Sequence, residues 1–187
     1  MYPLARFAAT ILGARRAAPI GPLDTHVSRH VCWPWDIDPW MELNNGRTLT
    51  LYDLGRVGLG VRSGLMAALR DRGWGLAVAG ASVRYRKRVT LFQRIEMRTR
   101  CVGWDERFIY IVQSMWVDGT CTSEALLRTA VTARRRAVPP AEVMAALGRD
   151  GPAPAMPGWV AAWIEAEGAR PWPPEGTPLP AGHLPPG

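Results

Sequence analysis

The chain has 187 residues, 48% of them hydrophobic and 21% charged, which excludes a disordered polymer and suits one domain of roughly 150 residues with appendages. Its formal charge of +7 invites a nucleic-acid partner, but 22 of the 23 basic residues are Arg, a skew that with abundant Ala, Gly and Pro fits a GC-rich genome better than selection for phosphate. Three cysteines with no C-x-x-C pair argue against a disulfide framework or a zinc site and suit a reducing, cytoplasmic setting.

Leu4, Phe7, Ala8, Ile11 and Leu12 follow helical spacing, and Arg6, Arg15 and Arg16 are the only charged side chains before Asp24. Residues 1–23 therefore read as a basic amphipathic helix, packed on the domain or resting through residues 4–16 on a membrane surface. No apolar run reaches the ~18 residues of a spanning helix. The domain proper is expected over 24–148. Residues 25–35 predict a short strand stopped by Pro34, followed by a turn from Asp36 to Leu43 in which Pro39 forces Asp38 into an extended conformation. Asn44 or Asn45 caps a helix whose Leu49, Tyr52, Leu54, Val57 and Val61 spread too widely for a surface helix, so it is expected to be buried on most sides. Gly58, Gly60 and Gly64 weaken its middle, and Ser63 is placed at the start of a second helix ending at Arg70.

Beyond Gly75 the period changes to two. Residues 76–89 predict a strand, and Arg94, Glu96, Arg98 and Arg100 alternate with Ile95, Met97, Thr99 and Cys101, the pattern of a half-exposed sheet. Residues 107–117 and 121–133 predict two more strands around an Asp118-Gly119 hairpin turn. These four are expected to form an antiparallel meander. Pro139-Pro140 ends it, a helix follows from Ala141 to Leu147, and the Pro/Gly-rich tail 149–187 contains one more helical stretch, Trp159 to Glu167. A sheet wrapped around one buried helix, an α+β architecture, accounts for this order.

Asp36-Ile37-Asp38-Pro39-Trp40-Met41-Glu42-Leu43-Asn44-Asn45-Gly46-Arg47-Thr48-Leu49, continued by Asp53-Leu54-Gly55-Arg56, resembles the D-x-D-x-x-G-H-x-N-N-x-x-Y and E-x-A-R signature of the hot-dog-fold acyl-CoA thioesterases, in the 4-hydroxybenzoyl-CoA thioesterase-like branch. The resemblance implies the hot-dog fold, hydrolysis of an acyl-CoA thioester, and a homodimer or homotetramer with sheets joined edge to edge. It calls for no metal or redox cofactor, coenzyme A being part of the substrate. Four positions depart from the pattern: Met41 replaces glycine, Glu42 histidine, Thr48 tyrosine, and Asp53 the longer glutamate.

The chemistry has its own logic. Thioester hydrolysis needs a carboxylate that activates water or attacks the carbonyl, plus donors aimed at the developing oxyanion. Asp38 supplies the first, and the helix start the second, through the backbone N–H of Asn45 with Asn44 as cap. The positive end of the helix would favour the ionised form of Asp38. Asp36 is expected to be structural, with Arg56 the candidate partner. Arg86, Lys87, Arg88, Arg134 and Arg135 are candidate contacts for the phosphates of coenzyme A, since they lie in the middle stretch 84–136, where twelve basic side chains face five acidic ones. Tyr85 alone is a poor stacking platform for nucleic acid. His26 and His30 share a strand face without a third metal ligand and read as ordinary sheet histidines, while Trp33, Trp35 and Trp40 flank the site as pocket walls or packing. The competing reading of the same residues is turn and cap chemistry in a non-catalytic hot-dog protein that binds acyl groups or associates with a membrane.

Overall fold

The computed structural model describes residues 3–134 and 136–171. In chain order the elements are helix α1 (Leu4–Arg16), strand β1 (His26–Val31), a 3-10 turn (Pro34–Asp36), helices α2 (Asn45–Arg62) and α3 (Leu65–Arg72), strands β2 (Gly75–Tyr85), β3 (Arg94–Trp104), β4 (Ile109–Val117), β5 (Thr120–Ala133) and β6 (Arg136–Val138), and helices α4 (Pro140–Ala146) and α5 (Gly158–Ala169). Contacts divide the chain into two units, Met1–Ala155 and Met156–Gly187; α5 belongs to the second.

All strand pairs are antiparallel, in the order β1-β3-β4-β5-β2, with β6 on β5. The expected four-strand meander is corrected here: β3, β4 and β5 are consecutive neighbours, but β2 crosses to the far side and pairs with β5, Tyr85 opposite Ser123. β2 also ends at Tyr85 rather than at residue 89, because the Arg86 and Lys87 N–H groups both turn to the carbonyl of Thr122, at 2.8 and 3.1 Å. The Asp118-Gly119 turn has positive φ at both residues, 47° and 75°, as a two-residue hairpin with right-twisted strands requires.

The period-2 reading of β3 holds: Ile95, Met97, Thr99 and Cys101 are buried while Arg94, Arg98 and Arg100 are exposed. The buried row meets α2, so that Leu51, Tyr52 and Leu54 pack with Ile95, Met97, Met115, Val117, Ala125 and Leu127. The helix approaches most closely at Gly55 and Gly58. A methyl group at Gly55 would press on Met97, Thr99 and Gln113, and one at Gly58 on the ring of His26. These glycines are the price of that close approach, and the helix runs unbroken through them. Ser63 closes α2 rather than opening α3, whose cap is the left-handed Gly64. A second cluster at the other end of the sheet joins Leu69 of α3 and Val143 and Met144 of α4 to Trp104, Ile109 and Val131. α1 rests on this unit through Phe7, Ala14 and Arg6, and leaves Leu4 and Leu12 exposed.

Candidate active site

The turn before α2 is built around two aspartates with different surroundings. Asp36 is 2% exposed and accepts from the Arg6 guanidinium at 2.7 Å and the Trp33 N–H at 3.0 Å, with Arg47 at 3.8 Å. The expected partner, Arg56, is elsewhere: it spans Asp53 at 3.0 Å and the Gln113 amide oxygen at 2.7 Å, holding α2 on the sheet. Asp38 is partly exposed, and its Oδ1 accepts from the N–H groups of Trp40 at 2.9 Å and Glu42 at 3.3 Å. Its own N–H donates to the Glu42 carbonyl at 2.9 Å, and its carbonyl accepts from Met41, which adopts φ 60° to close the turn. Asp38 Oδ2 has no hydrogen-bond partner among the described residues, leaving one carboxylate oxygen for chemistry.

Asn44 is the cap the sequence predicts, its side-chain oxygen accepting from the Gly46 N–H at 2.9 Å and the Arg47 N–H at 3.3 Å. That leaves the Asn45 N–H, the first of the helix, with no acceptor among the described residues. Leu43 N–H donates to the Val89 carbonyl at 2.8 Å, tying the turn to the basic segment that follows β2. Between them lies a pocket of about 290 Å³ lined by Glu42, Asn45, Thr48, Arg86, Lys87 and Arg88, with Tyr85 and Ser123 on its β-sheet side. Asn45 and the Arg86–Arg88 segment, some forty residues apart in sequence, thus share one cavity, which the cap residue Asn44 does not line.

Other candidates do not reach it. Asp38 is not among the residues lining this pocket, although its turn presents Glu42 there, and Trp33, Trp35 and Trp40 are exposed outside it. Arg134 lies in the β5–β6 turn, two residues beyond Thr132, which pairs with the first residue of β2, whereas Arg86 follows its last, roughly 33 Å away along an extended strand. Arg135 lies outside the described residues. Conversely, Glu42 counted in the sequence only as a departure, and Thr122 and Ser123 carried no signal. Ser123 enters because strand pairing sets it opposite Tyr85, where its hydroxyl meets the buried Tyr52 hydroxyl at 2.8 Å. Burial pushes the Tyr52 hydroxyl pKa well above its ordinary value, so it stays protonated.

A larger groove of about 1010 Å³ runs between α1 and the β1–β3 edge. His26 and His30 line it; burial first, then Arg62 for His26 and Arg6 for His30, lowers each pKa to about 4, so both are neutral at pH 7. His26 Nδ1 lies 3.2 Å from Arg62 and His30 Nε2 2.9 Å from the Ser28 hydroxyl. No group of three metal-ligating side chains occurs among the described residues, and none of their helices is long and apolar enough to cross a membrane. The three cysteines are free, with the buried thiols of Cys32 and Cys101 pushed up to about 11 by desolvation.

An antiparallel sheet curled around α2, with a capped helix start facing a short basic segment, defines a hot-dog protein. Solved structures agree: the YbaW probable thioesterase of Escherichia coli superposes with a TM-score of 0.61 at 14% identity, covering 65% of this chain and 95% of that one. Slr0204 of Synechocystis, a 1,4-dihydroxy-2-naphthoyl-CoA thioesterase, gives 0.59 at 10% identity, over 66% and 95%. Residues 32–164 match the model of the thioesterase-like superfamily, and the chain belongs to that family. Protein THEM6 of Xenopus laevis is 34% identical over 91 residues, 49% of this chain and 44% of the relative. The chain spans about half the length of the relatives it matches.

Proposed function

We propose that this protein hydrolyses an acyl-CoA thioester to a free carboxylic acid and coenzyme A at the start of α2. The observation that carries the reading is the shared pocket: Asn45, whose N–H at the positive end of a helix has no acceptor among the described residues, lines the same cavity as Arg86, Lys87 and Arg88. A thioester carbonyl needs the first, and the phosphates of coenzyme A need the second. Family membership supports the same chemistry.

In this reading Asp38 acts as nucleophile or as the group that orients water. Water gives a proton to Asp38 as its oxygen adds to the carbonyl carbon, negative charge collects on the carbonyl oxygen opposite the Asn45 N–H, and the C–S bond breaks as the proton passes to the departing thiolate. If Asp38 itself adds, the thiolate takes its proton from water and a second water hydrolyses the resulting anhydride to the free acid. The turn holds Asp38 Oδ1 with two N–H bonds, which fixes the orientation of the carboxylate. β2 supports the homodimer or homotetramer that the resemblance implies. From Gly75 to Val83 its strand carries no charge, most of its residues are exposed, and among the described residues only β5 pairs with it. An uncharged open edge of this length pairs readily with a second copy.

A second reading, binding of acyl-CoA without turnover, is favoured by one observation: Asp38 is absent from the pocket lining. Two measurements separate them. Thiol release from short-chain, long-chain and aryl acyl-CoAs is expected for at least one substrate, and calorimetric binding without release would establish the second reading. Because the pocket holds one basic segment and not the other, Arg86→Ala is expected to raise KM for acyl-CoA and Arg134→Ala to leave it unchanged. Equal effects would place the phosphates elsewhere.

A further inference from the structure

Among the described residues Glu42 is the only carboxylate lining the pocket beside α2, and it is not idle. Its Oε2 lies 2.9 Å from Nε of Arg88. The backbone keeps the two close: Leu43 N–H bonds the Val89 carbonyl, so the neighbouring Glu42 and Arg88 lie within reach of each other. Glu42 is further fixed by Asp38, which accepts its N–H and donates to its carbonyl. Arg88, by contrast, is 73% exposed and held by this contact at the end of a long side chain.

An ion pair so exposed contributes little to stability and is easily exchanged. A phosphate matches the two parallel charge-assisted bonds that a carboxylate can make to a guanidinium, and a terminal phosphomonoester adds about −1.5 to −2 of charge against −1, enough to draw it away. We propose that the Glu42–Arg88 pair is a specificity switch: Glu42 competes with the phosphates of the substrate for Arg88, so that a thioester on a phosphorylated carrier opens the pair and one on an uncharged carrier does not. Arg86 and Lys87, which line the same pocket, then complete the anion contact. Glu42 is thus a specificity-determining residue at the position where the family signature has histidine. The inference rests on the reading that coenzyme A is held by this segment.

The test is calorimetric binding of coenzyme A, and of pantetheine as the phosphate-free control, to the full chain and to Glu42→Gln, Arg88→Ala and the double variant. Competition predicts opposite signs. Glu42→Gln tightens coenzyme A by up to about five-fold, the worth of an exposed pair, and Arg88→Ala weakens it by about ten-fold or more. Glu42→Gln has no effect once Arg88 is absent, and pantetheine is indifferent to all three changes. If Glu42→Gln weakens coenzyme A, the carboxylate positions Arg88 for phosphate and the switch is wrong. Tightening that persists without Arg88 is a general charge effect and equally overturns it. If the parent binds no coenzyme A, the reading of the site fails and the switch with it; if the parent binds and only the signs disagree, the switch alone fails. Both side chains are partly exposed, and circular dichroism of each variant checks that the fold is kept.

Discussion

Replacing Gly55 by Ala tests the close approach of α2 to the sheet on which the site depends. The added methyl would meet Thr99 Oγ1 at 2.8 Å and Gln113 Nε2 at 2.9 Å and press on Met97, all inside ordinary contact. Gln113 is fully buried, and its amide N–H groups donate to the Tyr52 carbonyl at 2.7 Å and to Thr99 Oγ1 at 2.9 Å, so it cannot retreat without losing a bond. Overpacking costs about 1–3 kcal/mol and a broken buried hydrogen bond about 1 kcal/mol or more, against about 1 kcal/mol gained from helix propensity. The net expectation is a loss of about 1–3 kcal/mol, or roughly 3–10 °C in Tm for a chain of this size. Gly13, in α1 and with nothing within 4 Å of its added methyl, is the control: Gly13→Ala should stabilise by up to about 1 kcal/mol. Urea denaturation of both variants gives the answer. If Gly55→Ala is as stable as the parent, the helix does not lie where these contacts put it.

Three further outcomes follow from the packing and charge. His26 and His30 titrate near 4 when folded and near the ordinary 6.5 when unfolded, so the unfolded chain binds more protons between those values. Stability should therefore fall as pH drops from 6.5 to 4, by at most about 3 kcal/mol per histidine, with His30→Gln showing a shallower decline in denaturation midpoints; a flat profile in the parent would refute this. Arg6→Ala leaves the buried Asp36 with Trp33 N–H and a distant Arg47, and should cost about 2–4 kcal/mol, read by chemical denaturation, whereas an effect below about 1 kcal/mol would show that Arg6 is not its counter-charge. Val78→Lys puts a charge on the open edge of β2, and light scattering should show a dimeric parent and a monomeric variant; assembly unaffected by the lysine would rule out pairing through that edge.

Local signals carried most of the fold. The alternation from Arg94 to Cys101, the Asp118-Gly119 turn and the Asn44 cap each depend on neighbours a few residues away, so the sequence displays them directly. The crossing of β2 to the far side of the sheet does not, because nothing within residues 75–85 says which strand they pair with. The same limit applies to the site. Asp36 finds Arg6 thirty residues away on a helix whose docking the turn does not encode. Glu42 meets Arg88 beside the Leu43–Val89 backbone bond, a contact forty-six residues away in sequence. Glycines in α2 look like weaknesses of a helix in one dimension and prove to be its points of contact in three.

The proposed thioester hydrolysis at the start of α2 makes Asp38 the working carboxylate. Asp38→Asn keeps an oxygen able to accept the N–H bonds of Trp40 and Glu42, so the turn should survive while the negative charge is lost. The measurement is the rate of coenzyme A release from the best acyl-CoA of a short-chain, long-chain and aryl panel, parent against Asp38→Asn. Turnover by the parent and a fall of about 100-fold or more in kcat for the variant are predicted; full activity in Asp38→Asn, or no release from any substrate by the parent, would contradict the account.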